Sequence, residues 1–128
     1  MYSVITFSMN DYSILTSKEI AIKARSLILS DLSLYDSVAA LAMKAGTNSY
    51  TLQKIFRQHF GCTVFYFSRQ ARINYAKQLL SGTNYTVRVI GELCGYEEHT
   101  NFIAAFRTLV GKTPGEWRKD IETVKVNL

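Results

Sequence analysis

In 128 residues, 15 basic side chains stand against 10 acidic ones for a net charge of +5, and 48% of the residues are hydrophobic. Seven Phe, eight Tyr and one Trp suffice for one domain's core, or for two very small subdomains sharing one, which excludes a mainly disordered chain. No apolar run approaches the roughly 18 residues of a membrane span, the N-terminus lacks the regions of a secretory signal, and Cys62 and Cys94 lack framework spacing, so both read as buried or half-buried thiols of a reducing cytoplasm.

Residues 1–17 read as a tail or the remnant of an interdomain linker. Ser17 can cap a helix through KEIAIKARSLILS, where Ile20, Ala24, Leu27 and Ile28 share one stripe. SDLSLYDS breaks it, and Ser33 or Asp36 can cap the next segment. VAALAMKAG places Val38, Leu41, Ala42 and Ala45 at helical spacing and stops at Gly46. Asn48 and Ser49 offer caps to TLQKIFRQHF, whose Leu52, Ile55, Phe56 and Phe60 turn inward until Gly61 ends the helix. A longer helix, Val64 to Leu80, keeps Phe67, Ala71, Ile73, Ala76 and Leu80 inside and Arg69, Arg72 and Lys77 outside.

SGTN (81–84) is a turn. Val87, Ile90, Leu93 and Cys94 then pattern a helix stopped at Gly95, and TNFIAAFRTLV forms the next, ended by Gly111. Thr113 and Pro114 open a last short helix with Pro in its first turn, and the tail 122–128 carries no pattern. The expected fold is all-α, with seven helices and no strand. A first subdomain plus linker helix occupies 18–80 and a second subdomain 81–121.

The two subdomains share a pattern. Phe56 falls on Phe106, Arg57 on Arg107, Gly61 on Gly111, Thr63 on Thr113 and Phe67 on Trp117, all at an offset of 50. One supersecondary unit used twice explains this. Its grammar is that of a helix-turn-helix, in which a short helix braces a second one that lies in the DNA major groove. The brace needs small residues where the helices cross, met by Ala39, Ala42 and Gly91, and the turn needs positive φ, met by Gly46 and Gly95. With Leu52, Ile55 and Phe56 behind, Ser49, Tyr50, Gln53 and Lys54 point outward; with Phe102, Ala105 and Phe106 behind, His99, Thr100, Asn101, Ile103 and Ala104 do so. Gln suits adenine, and Lys suits guanine or a phosphate.

Charge distribution points the same way. No Asp or Glu occurs from Ser37 to Gly91, a span holding Lys44, Lys54, Arg57, Arg69, Arg72, Lys77 and Arg88, which is the footprint of a surface facing phosphates. Other chemistry finds no support. His59, His99, Cys62 and Cys94 lack the paired short spacing of a metal site. Glu97 and Glu98 point apart in a turn, neither cysteine has a base, and no Gly-rich phosphate loop exists. Neither an enzyme, a metal nor a cofactor is expected.

The stretches AGTNSYTLQKIFRQHFG, RQARINYAKQLL and GYEEHTNFIAAFRTLVGKTPGEWR, within Val38 to Arg118, resemble the AraC/XylS family of bacterial transcription regulators. The spacing G-[YF]-x5-F-x3-F-[RK] and the ending G-x-T-P-x2-[WY]-R carry the resemblance most specifically. It implies a DNA-binding domain whose two recognition helices enter successive major grooves, about 34 Å apart, over an operator of roughly 20 base pairs without internal symmetry. It puts Tyr50, Gln53 and Lys54 of one unit, and His99, Thr100, Asn101 and Ala104 of the other, at base-contacting positions. Many members have Arg where this chain has Ala104 and a small polar residue where it has Ile103. The second unit is therefore expected to read weakly, through Ile103 on thymine methyls and hydrogen bonds from Asn101 or His99. Phosphate anchoring is expected from Arg57, Arg107 and Arg118, with backbone amides such as that of Thr113.

The resemblance further implies an activator in the bacterial cytoplasm, with RNA polymerase as partner and a sensor or dimerisation domain elsewhere. The tail at 1–17 favours a fragment cut in a linker over a stand-alone member. The alternative is a helical protein-interaction module without DNA specificity of its own.

Overall fold

Thr16, not Ser17, opens the first helix. Its amide donates to Glu19 Oε1 at 2.8 Å and its hydroxyl accepts from the Glu19 amide at 3.1 Å, a reciprocal box that satisfies two otherwise unpaired groups. The same bond holds the Glu19 carboxyl below the usual carboxylate range. The computed structural model describes residues 15–32 and 37–127. Its elements are α1 (Ser17–Ser30), α2 (Val38–Ala45), α3 (Ser49–Phe60), α4 (Val64–Gly82), α5 (Val87–Leu93), α6 (His99–Val110) and α7 (Pro114–Asn127). Among the described residues there are seven helices and no strand, as the all-α reading requires. No helix among them is long and apolar enough to cross a membrane.

Most of the tail expected at 1–17 lies outside the described residues, as do Ser33 and Asp36, read above as caps, and Leu128. The cap of α2 is Ser37, whose Oγ accepts from the Ala40 amide at 3.2 Å.

The described chain divides into two compact units. In the first, residues 15–30 and 37–64, α1 contributes Ile20, Ala21, Ala24 and Ile28, α2 contributes Leu41, Ala42 and Ala45, and α3 contributes Leu52, Ile55 and Phe56, all buried. Phe60 closes this core edge-on, 4.8 Å from Phe56 by ring centroids, with the Arg25 guanidinium 4.8 Å from its own ring. Burying each such large apolar side chain is worth about 1.5–3 kcal/mol. Ala39, read above as a crossing residue, is exposed; Ala42 is the small residue that faces inward.

The second unit holds residues 31–32 and 65–127. Its core joins Ile73, Ala76 and Leu80 of α4 to Ile90, Cys94, Phe102, Ala105 and Phe106. The long helix, which chain order groups with 18–80, thus spends its buried stripe on the second unit. Tyr96, Phe102, Phe106 and Trp117 form a run of ring contacts with centroids 5.5, 6.0 and 6.1 Å apart. Leu93, expected inside, is 46% exposed, because Ile90 and Cys94 occupy the inward positions one turn apart.

The last helix is not short. It starts with a second reciprocal box, Thr113 amide to Glu116 Oε1 at 2.9 Å and Glu116 amide to Thr113 Oγ1 at 3.2 Å. It continues through the stretch read as a patternless tail, and Lys125 Nζ donates to the Ser81 carbonyl at 3.0 Å. Arg118 donates from Nε to the Leu80 carbonyl at 3.0 Å, from Nη1 to Tyr85 at 2.7 Å and from Nη2 to Thr83 at 3.4 Å. Two cations from α7 therefore satisfy carbonyls around the C-terminal end of α4, where a helix leaves acceptors unpaired.

Candidate nucleic-acid interface

The two helix pairs α2–α3 and α5–α6 are built by the same local chemistry. Ser37 caps α2, and Thr86, 49 residues on, caps α5 by accepting from the Val89 amide at 3.2 Å. Gly46 (φ 91°) and Gly95 (φ 92°) make the left-handed turn. Behind the first, the Thr47 amide reaches the Ala42 carbonyl at 2.9 Å; behind the second, the Tyr96 amide reaches Gly91 at 3.0 Å, again 49 residues on. From α3 and α6 onward the correspondence is 50, so the second turn is one residue longer. The two starts also differ: Asn48 Oδ1 caps α3 by accepting from the Thr51 amide at 2.9 Å, whereas Glu98 caps α6 without a side-chain hydrogen bond.

These turns set the faces of the second helices. On α3, Tyr50, Gln53, Lys54 and Arg57 are exposed at i, i+3, i+4 and i+7, opposite buried Leu52, Ile55 and Phe56. Ser49 is half-buried at the helix start. On α6 the corresponding face is Thr100, Ile103, Ala104 and Arg107, with Ile103 half-buried and the other three exposed. Only the arginine is common to the two faces. Tyr, Gln and Lys in one unit give way to Thr, Ile and Ala in the other.

Asn101 is exposed but sits on the flank of α6 with Ala104 and Thr108, lining a groove against α4. His99 is half-buried, and its Nδ1 is enclosed without a hydrogen-bond partner among the described residues, so that atom is turned away from any base edge. Thr108, absent from the sequence reading, is exposed beside Ala104, and its hydroxyl is spent on the Ala104 carbonyl at 2.8 Å. Helical spacing from Ala104 was the signal available for it.

The cations sort by what already holds them. Arg57 and Arg107 are exposed near the ends of α3 and α6. The Glu116 carboxyl is held below its usual range chiefly by the Thr113 amide and hydroxyl, with Arg107 a lesser cause. Arg118, expected on a phosphate, has Nε, Nη1 and Nη2 committed to the carbonyls above, and the Thr113 amide is committed to Glu116. The Thr113 amide could reach a phosphate only by giving up its internal bond, whereas Arg118 is tied to the fold through three of its five N–H donors. Arg72 lies over Tyr96, guanidinium carbon to ring centroid 5.2 Å, and donates to the Leu32 carbonyl at 3.0 Å. Among the described residues no cluster of three or more His, Cys, Asp or Glu could hold a metal.

A helix-turn-helix domain family model matches residues 41–120. The transcriptional activator RhaR of Klebsiella pneumoniae is 35% identical over 74 residues, 58% of this chain and 26% of that protein. RhaR of Yersinia pseudotuberculosis is 31% identical over 94 residues, 73% of this chain and 32% of its own length. The chain thus spans less than a third of these curated relatives. A Chromobacterium violaceum transcriptional regulator described by its AraC-type DNA-binding domain superposes with a TM-score of 0.74 at 27% identity, covering 82% of this chain and 94% of that one. The DNA-binding domain of AdpA, solved with a target DNA, shares the fold with a TM-score of 0.78 at 22% identity, covering 82% and 95%. Since the family match takes in both glycine turns and both outward helices, the chain belongs to the AraC-type helix-turn-helix DNA-binding domain family.

Proposed function

We propose that this chain binds specific double-stranded DNA and regulates transcription, with α3 and α6 reading successive major grooves of a site of roughly 20 base pairs. The observation that carries this reading is the pair of exposed helix faces, each behind a glycine turn, in a family of DNA-binding domains. Tyr50, Gln53 and Lys54 read bases in one box, with Ser49 at its edge. Thr100, Ile103 and Ala104 face the other box, joined by Asn101 and His99 at its margins. Arg57 and Arg107 anchor the phosphates of each box. The first unit dominates specificity, because its face offers three long hydrogen-bonding side chains where the second offers one short hydroxyl, a sec-butyl surface and a methyl.

The reading makes the protein a regulator without catalysis, acting in the bacterial cytoplasm on nucleoid DNA. It takes RNA polymerase as a protein partner and a sensor or dimerisation domain as the source of its input. The support for that last part is that the matched region makes up 26% and 32% of two relatives named as activators.

Selection from a random duplex library of roughly 25–30 base pairs, followed by salt titration of the winners, tests the reading. Two dissimilar boxes about one helical turn apart, bound with a steep salt slope, are the expected result. Weak binding to every duplex alike would remove it in favour of a protein-interaction module.

A further inference from the structure

One flank of α6, carrying Asn101, Ala104 and Thr108, faces a groove whose other wall is α4, with Arg69 and Arg72. The two arginines are held differently. Arg72 is committed twice, to the Leu32 carbonyl and to the face of Tyr96. Arg69 is half-buried and steadied by stacking, its guanidinium carbon 5.4 Å from the centroid of Phe65 one turn earlier on the same helix. No hydrogen bond or ion pair with the described residues takes its N–H donors. Stacking orders a guanidinium yet leaves its in-plane donors unspent, the state in which Arg recognises phosphate.

Ala104 belongs both to this groove and to the outward face of α6. Its counterpart in the first unit is Lys54. The second outward face therefore lacks a cation midway along its helix, and the methyl of Ala104 leaves the groove open toward that face. Glu97 and Glu98 also line the groove, so an anion approaching from their side is repelled, while one approaching past Ala104 meets Arg69.

We propose that Arg69 supplies the cation that α6 lacks, reaching past Ala104 to a DNA phosphate beside the second box. This rests on the DNA-binding reading above. It gives α4 a role in recognition and makes the small side chain at 104 part of the contact rather than a loss.

The test measures affinity and salt slope of the full 128-residue chain on its selected duplex, for wild type, Arg69→Gln, Arg69→Lys, Ala104→Arg, and Arg69→Gln combined with Ala104→Arg. Gln53→Ala serves as the control for base reading, and each variant is melted in parallel. Arg69→Gln is expected to weaken binding about tenfold, the worth of one charge-assisted hydrogen bond, and to lower the salt slope by about 0.9. Arg69→Lys keeps the slope, and Ala104→Arg restores both quantities in the Arg69→Gln background. If Arg69→Gln also lowers the melting temperature, the rescue decides: recovery of affinity supports the contact, and none overturns it. Binding by Arg69→Gln within about twofold of wild type at an unchanged slope, while Gln53→Ala still loses affinity, overturns the proposal and leaves the DNA reading standing. If no duplex is preferred and Gln53→Ala is silent too, the DNA reading itself fails, and the Arg69 contact with it.

Discussion

A Cβ placed on Gly91 would lie 2.8 Å from Cδ2 of Phe102, closer than packed carbons come, and 3.0 Å from its Cγ, at the tight end of what they tolerate. The first unit holds Ala42 and Leu52 at the corresponding positions, both wholly buried. Where the first helix gains a methyl, the second helix has the smaller side chain, so the two crossings reach similar fullness by opposite choices.

Gly91→Ala is expected to cost about 1–3 kcal/mol, the range for overpacking a core, read from urea midpoints. Adding Phe102→Leu makes the pair resemble that of the first unit. The double variant is expected to be more stable than the sum of the two singles, a coupling that a double-mutant cycle measures directly. Strict additivity would show that the two side chains do not compete for space.

Gln53→Ala is expected to lose about 1–3 kcal/mol of discrimination at one base pair of the first box and none in the second. With Arg69 intact and holding the phosphate, Ala104→Arg does the converse, its guanidinium left to create a guanine preference in the second box. Repeating the duplex selection with each variant reads both effects as changes in one column of the binding motif. An unchanged second box with Ala104→Arg would place that position away from the bases.

Arg57→Gln and Arg107→Gln are expected to weaken binding to all sequences alike. Each reduces the slope of log affinity against log salt by about 0.9, the signature of one lost phosphate contact.

Arg118→Gln separates a structural cation from a phosphate anchor. Losing its bonds to the carbonyls of Leu80, Thr83 and Tyr85 is expected to cost roughly 1–3 kcal/mol of stability, with the salt slope of DNA binding unchanged. A normal melting curve with a shallower slope would return Arg118 to the DNA surface.

Burial pushes the Cys94 thiol from an ordinary value of 9.0 up to about 12, with Arg72 pulling weakly the other way. A group whose pKa rises on folding contributes fully below its unfolded pKa, so the Cys94 contribution is intact below about pH 9 and lost as pH climbs toward 12. Iodoacetamide at pH 8 is expected to alkylate half-buried Cys62 but spare Cys94 until urea is added. Mass spectrometry of the folded protein should find one carbamidomethyl group, and of the unfolded protein two.

Much of the helical layout was legible because the signals were local. Gly46, Gly61, Gly95 and Gly111 all take the positive φ that ends a helix, and the stripes of Leu52, Ile55, Phe56 and of Phe102, Ala105, Phe106 turned inward as their spacing required. Ser17 was misread as a cap because Thr16 and Glu19 together form a better one, and a reciprocal pair outranks a single hydroxyl. Leu93 was misread because hydrophobicity does not say which of two adjacent apolar residues, Leu93 or Cys94, faces the core. The reach of α7 and the fate of Arg118 depend on carbonyls 33–44 residues earlier in the chain, which no local pattern encodes. The exposed arcs of α3 and α6 followed from periodicity alone, whereas the placement of Arg69 over Phe65, its N–H donors taken by no described residue, required coordinates.

The extra residue between Gly95 and His99 marks where this architecture tolerates a change of length. Inserted within a helix, one residue turns everything beyond it by about 100° and would carry Phe102 and Phe106 out of the core. Placed after the left-handed glycine, it is absorbed before the next helix starts, and every later residue keeps its phase: Phe106 still matches Phe56 and Arg107 still matches Arg57. A change of length at Glu97 or Glu98, both exposed, is therefore an edit the fold can survive, whereas one at Tyr96 would remove a ring packed on Phe102, and one inside α6 would scramble its buried stripe.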